Sequence, residues 1–403
     1  MKPTVCAVFD IGKTNKKVLL FDKNYQVIEE NLTQFEEVLD DDGFRADDLL
    51  GLTNWLKTNL ADLLKRQDID LKAINFATYG ASLVHLNAEG KPLTPLYNYL
   101  KDFPRSLKNQ FYEKYGPIEE FCAATASPDS GMLNAGLQLY WLKNEKPQVF
   151  HQIRYSLHLP QYCSFLFSNN PVSEITSIGC HTALWDFQKN DYHAWVEAEH
   201  LHSIQQKPLS SSSFSPLPNG GEVSLGIGIH DSSSSLVPYL KAFDEEFVLL
   251  STGTWCISLN PFNEEPLTIS ELERDCLSYM NYFGKPVKAS RLFAGNEHER
   301  QIKHLASYFN TDIDYYKQVA FNRDLIWDLR HRFRQATPNS ADTGLLRDCP
   351  FVERNINLFR NYEEAYHQFI LDLVAQQVAS LKMAIGYTNV RKRMEDSPET
   401  IFL

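Results

Sequence analysis

Hydrophobic positions in the first third of the chain come in short runs set apart by polar turns. Val5–Phe9 is one run and ends at Asp10-Ile11-Gly12. Val18–Phe21 is a second, closed by Asp22-Lys23-Asn24, and Tyr25–Glu30 is a third. Runs of this length bounded by turn residues predict a β-meander. Asp47 then reads as the N-cap of a helix whose buried stripe is Leu49, Leu50, Leu56, Leu60, Leu63 and Leu64. Ala73–Thr78 reads as a buried strand and Leu83–Leu86 as another, with Asn87–Gly90 a turn. The order strand, strand, strand, helix, strand predicts a mixed α/β layer.

Residues 133–150 predict a helix that stops near Pro147, and 155–200 alternate short apolar runs with turns. The stretch 207–235 is rich in Ser, Pro and Gly; 207–221 is open to a linker reading, whereas 223–231 has a strand's alternation. A second start follows: Phe247–Leu250, then Ser251-Thr252-Gly253-Thr254, then Trp255–Leu259, again strand, small-residue turn, strand. Asn361 and Glu364 read as a capping box. They open a helix striped by Tyr362, Tyr366, Phe369, Ile370, Leu373, Val374, Val378, Leu381 and Ile385. Thr400–Leu403 reads as the opening of a strand.

Charge narrows the partners. Lys+Arg 39 against Asp+Glu 51 gives −12, a field that disfavours nucleic acid and anionic membranes, because phosphate affinity is mainly electrostatic. A local cationic pocket for a small anion stays allowed. The N-terminal apolar run is too short for a signal peptide, and no stretch reaches 18 uninterrupted apolar residues, so no membrane helix is expected. Seven scattered cysteines without a CxxC argue against a disulfide framework or structural zinc and fit a reducing cytoplasm. At roughly 150 residues per domain, the 403 residues suggest two or three domains.

Three segments carry candidate chemistry. Asp10-Ile11-Gly12-Lys13-Thr14-Asn15-Lys16-Lys17 contains Gly-Lys-Thr but is no P-loop: Ala7 stands where that pattern needs Gly, and strand follows where it needs helix. A turn between two strands remains. It is open to an ordinary hairpin reading, or to one in which backbone N–H groups and basic side chains wrap a polyphosphate and Asp10 holds Mg²⁺ through water. Ser251-Thr252-Gly253-Thr254 repeats that design about half a chain later. Gly228-Ile229-His230-Asp231-Ser232 puts a carboxylate after a strand, as a helix cap, as a base for a hydroxyl proton, or as both. His200 and His202 read as solvated or core residues without ligand spacing.

These three motifs, in this order, resemble the FGGY family of carbohydrate kinases, within the sugar kinase, Hsp70 and actin superfamily. Asp10–Lys17 is similar to its first phosphate motif, Leu249–Leu259 to its second, and Gly228–Asp231 to the segment that carries its catalytic aspartate. Leu139–Leu142, Pro160-Gln161-Tyr162 and Ile175–Asp186 are similar too. Gly253-Thr254-Trp255 and Thr78-Tyr79-Gly80 resemble the deoxy-ketose kinases of the rhamnulokinase and fuculokinase type. The resemblance implies a two-domain α/β actin-like ATPase fold, each domain on an RNase H-like core, with an interdomain cleft; domains of 1–235 and 236–403 are expected.

Carried onto this chain, it implies Asp231 as general base and His230 beside the sugar. Gly80, Ala81 and Ser82 would line the sugar pocket, and Tyr99, Lys101 and Asp102 would contact hydroxyls. Asp10, Gly12, Lys13, Thr14, Asn15, Lys17, Thr252, Gly253 and Thr254 would bind ATP and its phosphates, with Mg²⁺ as second cofactor. Lys13 stands where the family usually has Thr, which changes the charge of the phosphate turn. Family members run past a strand like Thr400–Leu403 into a Gly-Gly-rich adenosine motif, so an incomplete adenine side is expected here.

The leading expectation is an ATP-dependent kinase of a small sugar, a ketose, in the cytoplasm, with the option of a homodimer. The alternatives are a catalytically silent sugar-binding relative and another ATPase of the superfamily.

Overall fold

The computed structural model describes residues 2–204, 206, 208–218, 221–253, 255–333 and 349–390. The chain divides into two compact units, 1–244 with 278–286, and 245–277 with 287–403. The break falls nine residues after the 235/236 boundary read from the sequence, because the helix Val237–Ala242 stays with the first unit. Thr400–Leu403, read as a strand opening, lies outside the described residues.

The first unit is built on a seven-stranded sheet. Strands β1 (Thr4–Ile11), β2 (Lys16–Asp22) and β3 (Val27–Thr33) form the expected antiparallel meander. β1 also pairs in parallel with β4 (Asp70–Thr78). On the far side of β4 lie β5 (Phe214–Pro216), β6 (Ser224–Gly226) and the two-residue β7 (Ile229–His230). β6 and β7 both run parallel to β4, and β5 is antiparallel to β6.

Alternation along β1 buries Val5, Ala7, Phe9 and Ile11 on one face and sends Asp10 to the other. Phe9 stacks on Phe76 at 5.4 Å and meets the edge of Trp55 at 5.6 Å. Trp55 belongs to α1 (Leu49–Lys65), which buries Leu49, Leu52, Leu56, Leu60 and Leu63.

Two expectations about this helix are corrected. Leu50 and Leu64 are exposed, because the helical period turns them off the stripe. The N-cap is Asp48, whose carboxylate accepts from Gly51 N at 2.8 Å, not Asp47. Asp47 is drawn instead to Lys13 and Tyr79.

The second unit carries a sheet in the order Leu249–Ser251, Cys256–Asn260, Pro286–Leu292, Cys276–Met280, whose outer hairpin, 278–286, is counted with the first unit. Its longest helix among the described residues is Tyr362–Ile385. Asn361 caps it through Glu364 N at 2.9 Å, but Glu364 reaches back to Arg360 N rather than to Asn361 N, so only half of the expected capping box forms. A complete box stands at Thr268 and Glu271.

The apolar stripe read from the sequence is also corrected. Val374 and Val378 are exposed, while Asp372, Gln376 and Ser380 are buried. Polar partners decide this. Arg354 grips Asp372 with two bonds of 2.5 and 2.7 Å, and Ser380 bonds Ser290 at 2.6 Å. Buried polar groups that are paired this way cost little, so a helix can turn them inward. All seven cysteines are free thiols, and among the described residues no helix is long and apolar enough to cross a membrane.

Candidate active site

Asp231 is carried to the C-terminal end of the parallel strands of the first unit's sheet by a break in strand pairing. β6 pairs Leu225 with Ile74, and β7 pairs Ile229 with Ala77. Four residues on one strand therefore answer three on the other, and the extra residue bulges at 226–228. Three side chains hold the bulge: Ser164 Oγ donates to Gly226 O at 2.8 Å, Gln161 Nε2 to Gly228 O at 3.1 Å, and Asn75 Oδ1 accepts from Gly228 N at 3.0 Å. Gly228 has φ +86°, and a β-carbon there would lie 2.4 Å from Pro160 O. Only glycine meets both demands without strain.

The strand ends at His230, and Asp231 opens a four-residue helix, Asp231–Ser234. Asp231 Oδ1 accepts from Ser232 N at 2.5 Å and Ser232 Oγ at 3.2 Å, which orients the carboxylate. His230 is buried, with Nδ1 3.6 Å from Asp231 Oδ1 and without a hydrogen-bond partner among the described residues. Nearby His158 is buried as well; burial first, then the His230 charge, hold its imidazole neutral, with a pKa of about 3.

Gly80 completes this corner. A β-carbon on it would come within 2.6 Å of His230 Nε2, so the backbone packs directly on the ring. Ala81 follows with φ +58°, and its carbonyl accepts from Gln138 Nε2 at 2.8 Å. The buried atoms Ser82 Oγ and Gln138 Oε1 have no partner among the described residues.

Asp10 lies in the same row of the sheet, paired with Ala77 on β4, which in turn pairs with Ile229. Its carboxyl is pushed up, first by burial and then by the negative charge of Asp231, with Glu30 adding to the rise and Lys17 opposing it. Tyr99 is half-buried, and its hydroxyl is pushed up by burial and by the charges of Asp47 and Asp231. Gly80, Tyr99, His230, Asp10 and Asp231 are thus gathered in one place.

The first turn closes with Gly12 N donating to Asn15 O at 2.9 Å. Its basic side chains already have acceptors. Lys13 pairs with Asp47 at 2.6 Å over the rings of Tyr79 and Tyr99. Lys16 donates to Lys13 O at 2.8 Å, and Lys17 pairs with Glu30 at 2.8 Å. The extra charge of Lys13 is therefore balanced inside the unit. Thr14 and Asn15 are exposed.

Lys101 and Asp102 are not gathered with the others. Lys101 is clamped by Asp40 at 2.6 Å and Asp42 at 2.5 Å, over Tyr97 and Trp141, and Asp102 is exposed. In the second unit, Thr252 and Gly253 form an exposed turn between paired strands, and Thr254 lies outside the described residues. Glu197, His200 and His202, the last two expected as solvated or core residues without ligand spacing, are exposed and bring ligand atoms within 4.8 Å of one another.

Sequence reading missed Glu174, Thr176 and Asp47. Glu174 is wholly buried and caps the turn Ile175–Ile178. Glu is not among the preferred capping residues, so the chain carries no local signal for this role.

The chain matches the N-terminal domain of the FGGY family of carbohydrate kinases over residues 5–212 and the FGGY carbohydrate kinase C-terminal domain over 244–339. It belongs to the FGGY family of carbohydrate kinases. Among curated proteins it is similar to a rhamnulokinase from Halalkalibacterium halodurans, 22% identical over 272 residues, covering 65% of this chain and 57% of that one. A rhamnulokinase from Klebsiella pneumoniae is 24% identical over 282 residues, covering 64% and 54%. The chain thus spans little more than half the length of these relatives.

Among solved structures, a carbohydrate kinase from Novosphingobium aromaticivorans aligns with TM-score 0.76 at 23% identity, over 95% of this chain and 82% of that one. A ligand-bound xylulose kinase from Lactobacillus acidophilus aligns with TM-score 0.74 at 15% identity, over 96% and 79%. These share the fold, that of the actin-like sugar kinases.

Proposed function

We propose that this chain transfers the γ-phosphoryl group of ATP to a hydroxyl of a small ketose, with Asp231 as general base. The observation that carries the reading is the delivery of Asp231, by a glycine-dependent bulge, to the C-terminal end of parallel strands beside Asp10, His230 and Gly80. Ligands of open α/β sheets bind at such strand ends. The relatives named rhamnulokinase support a deoxy-ketose as the sugar.

In this reading the sugar lies against Gly80–Ser82, Tyr99 and His230. Ser82 Oγ and Gln138 Oε1 offer unused hydrogen-bonding capacity there. Asp231 orients the reacting hydroxyl and accepts its proton, a contribution of about 10²–10⁴-fold. The turn Gly12–Asn15 takes phosphate on backbone N–H groups, with Thr252-Gly253-Thr254 as the second phosphate turn. Asp10 and Asp231 are oxygen donors of the kind a magnesium ion uses, and their mutual repulsion is what a divalent cation relieves. Such an ion supplies charge neutralisation across the phosphates. Free thiols and an ATP-dependent activity support a cytoplasmic setting.

The test is a coupled ADP-release assay with ATP, Mg²⁺ and L-rhamnulose, D-xylulose or glycerol, on the wild type and Asp231→Asn. Sugar-dependent turnover that falls 100-fold or more in the variant, with sugar binding kept, is expected. Wild-type turnover in the variant overturns the base assignment. Calorimetric binding of a sugar without ADP release supports the silent sugar-binding reading instead.

A further inference from the structure

We propose that Glu174 and Thr176 are positioning residues for Asp231, acting through the backbone amide of His230. The inference rests on the reading of Asp231 as the base and adds to it the device that holds that base in place. His230 N donates to Thr176 Oγ1 at 3.0 Å, although the two lie 54 positions apart in the chain. Thr176 Oγ1 in turn donates to Glu174 Oε2 at 2.6 Å. The chain of bonds therefore runs from carboxylate to hydroxyl to amide, and the amide belongs to the residue immediately before Asp231.

Glu174 makes this chain directional. It is wholly buried and receives five donors: the backbone N–H groups of Thr176 and Ser177 at 2.9 and 3.1 Å, and the hydroxyls of Thr176, Ser177 and Ser211. Burial pushes its carboxyl up, and the bonds from Ser211, Thr176 and Ser177 offset only part of that rise. The backbone N–H groups of Thr176 and Ser177 can only donate, and they aim one at each carboxylate oxygen, so both oxygens face their neighbours as acceptors. A hydroxyl has one proton. With that proton committed to Glu174, the Thr176 oxygen turns a lone pair toward His230 N, and no second orientation competes.

A hydroxyl free to rotate could instead point its proton at the amide, leaving a buried N–H without an acceptor. The strand that delivers Asp231 is only two residues long, and a bulge immediately precedes it in the chain. Sheet pairing alone holds it weakly, so this side-chain tether fixes where Asp231 starts. A misplacement of about 1 Å at such a point can cost about 10²-fold in rate.

The experiment compares Thr176→Val, which removes the hydroxyl at equal size, with Thr176→Ser, which keeps it, and with Glu174→Gln. Two quantities are read: amide exchange of the segment 229–233 in the unliganded protein, and kcat and KM with L-rhamnulose and ATP. Thr176→Val is expected to speed exchange at His230 at least 10-fold and lower kcat 10- to 100-fold with KM within 2-fold, and Thr176→Ser to restore both. Glu174→Gln, whose amide can donate to the Thr176 oxygen, is expected to fall between them.

Unchanged exchange at His230 in Thr176→Val removes the tether. Faster exchange with unchanged kcat, while Asp231→Asn is inactive, removes the positioning role and leaves the base standing. A fully active Asp231→Asn removes the base, and exchange still decides the tether. A variant whose kcat and KM worsen together, unrescued by Thr176→Ser, shows general loss of structure and overturns the proposal.

Discussion

His230 Nε2 stands 2.6 Å from the point where a β-carbon on Gly80 would sit. The two residues lie 150 positions apart, yet the ring occupies the space that glycine leaves empty. Gly80 therefore sets the place of His230, and through it the approach to Asp231.

Gly80→Ala is expected to push the His230 ring aside, since the new methyl would lie 2.6 Å from Nε2. The loss should appear in sugar kcat/KM at 10-fold or more, about 1.4 kcal/mol in transition-state terms. ATP affinity should change less than 2-fold. Steady-state kinetics with L-rhamnulose, combined with nucleotide calorimetry, decides it; an unchanged kcat/KM would show that the ring has room.

Gly228→Ala tests the bulge. The new methyl meets Pro160 O at 2.4 Å and the backbone stays at φ +86°, so strain and clash add. A destabilisation of about 2–4 kcal/mol is expected from these two mechanisms together. Chemical denaturation measures it. A variant as stable as wild type would mean that the 226–228 segment refolds around the methyl.

Asp10→Asn separates stability from function. Burial and the charge of Asp231 raise the Asp10 carboxyl above its unfolded value, so the folded state holds the proton more tightly. Stability contributed by this group is present below the unfolded pKa and lost as pH rises through the folded one. Removing the charge should raise the melting temperature at pH 7, with the gap closing as pH falls below about 4. Turnover should drop in the same variant. Calorimetry at the two pH values checks the sign; a lower melting temperature at pH 7 contradicts it.

Glu199 predicts the opposite sign. Burial works to raise its carboxyl, but Lys114 at 2.6 Å, Lys143 at 2.5 Å and the Tyr115 hydroxyl outweigh it and bring the pKa to about 2. Its stabilisation is full above the unfolded value and is lost as pH falls through the folded one. Glu199→Gln should cost about 2 kcal/mol at pH 7, less as pH drops from about 4.5 toward 2. Urea melts across that range measure it, and a pH-independent difference would show that the lysines do not govern this group.

The sequence by itself determined the meander, the α1 stripe from Leu49 to Leu63, the two small-residue turns and the special standing of Gly228–Asp231. Each of these is written in local periodicity or in residue types with narrow backbone preferences. Tertiary structure decided the rest. It gave Asp47 to Lys13 and Tyr79 and left the cap to Asp48, because a charge balance 34 residues away outweighed local capping. It turned Asp372 and Ser380 inward because Arg354 and Ser290 were there to meet them. It clamped Lys101 between Asp40 and Asp42, and it laid Thr176 against His230 N. A hydrogen bond or ion pair between distant residues leaves no periodic trace along the chain, since its partner is chosen by how the strands and helices pack.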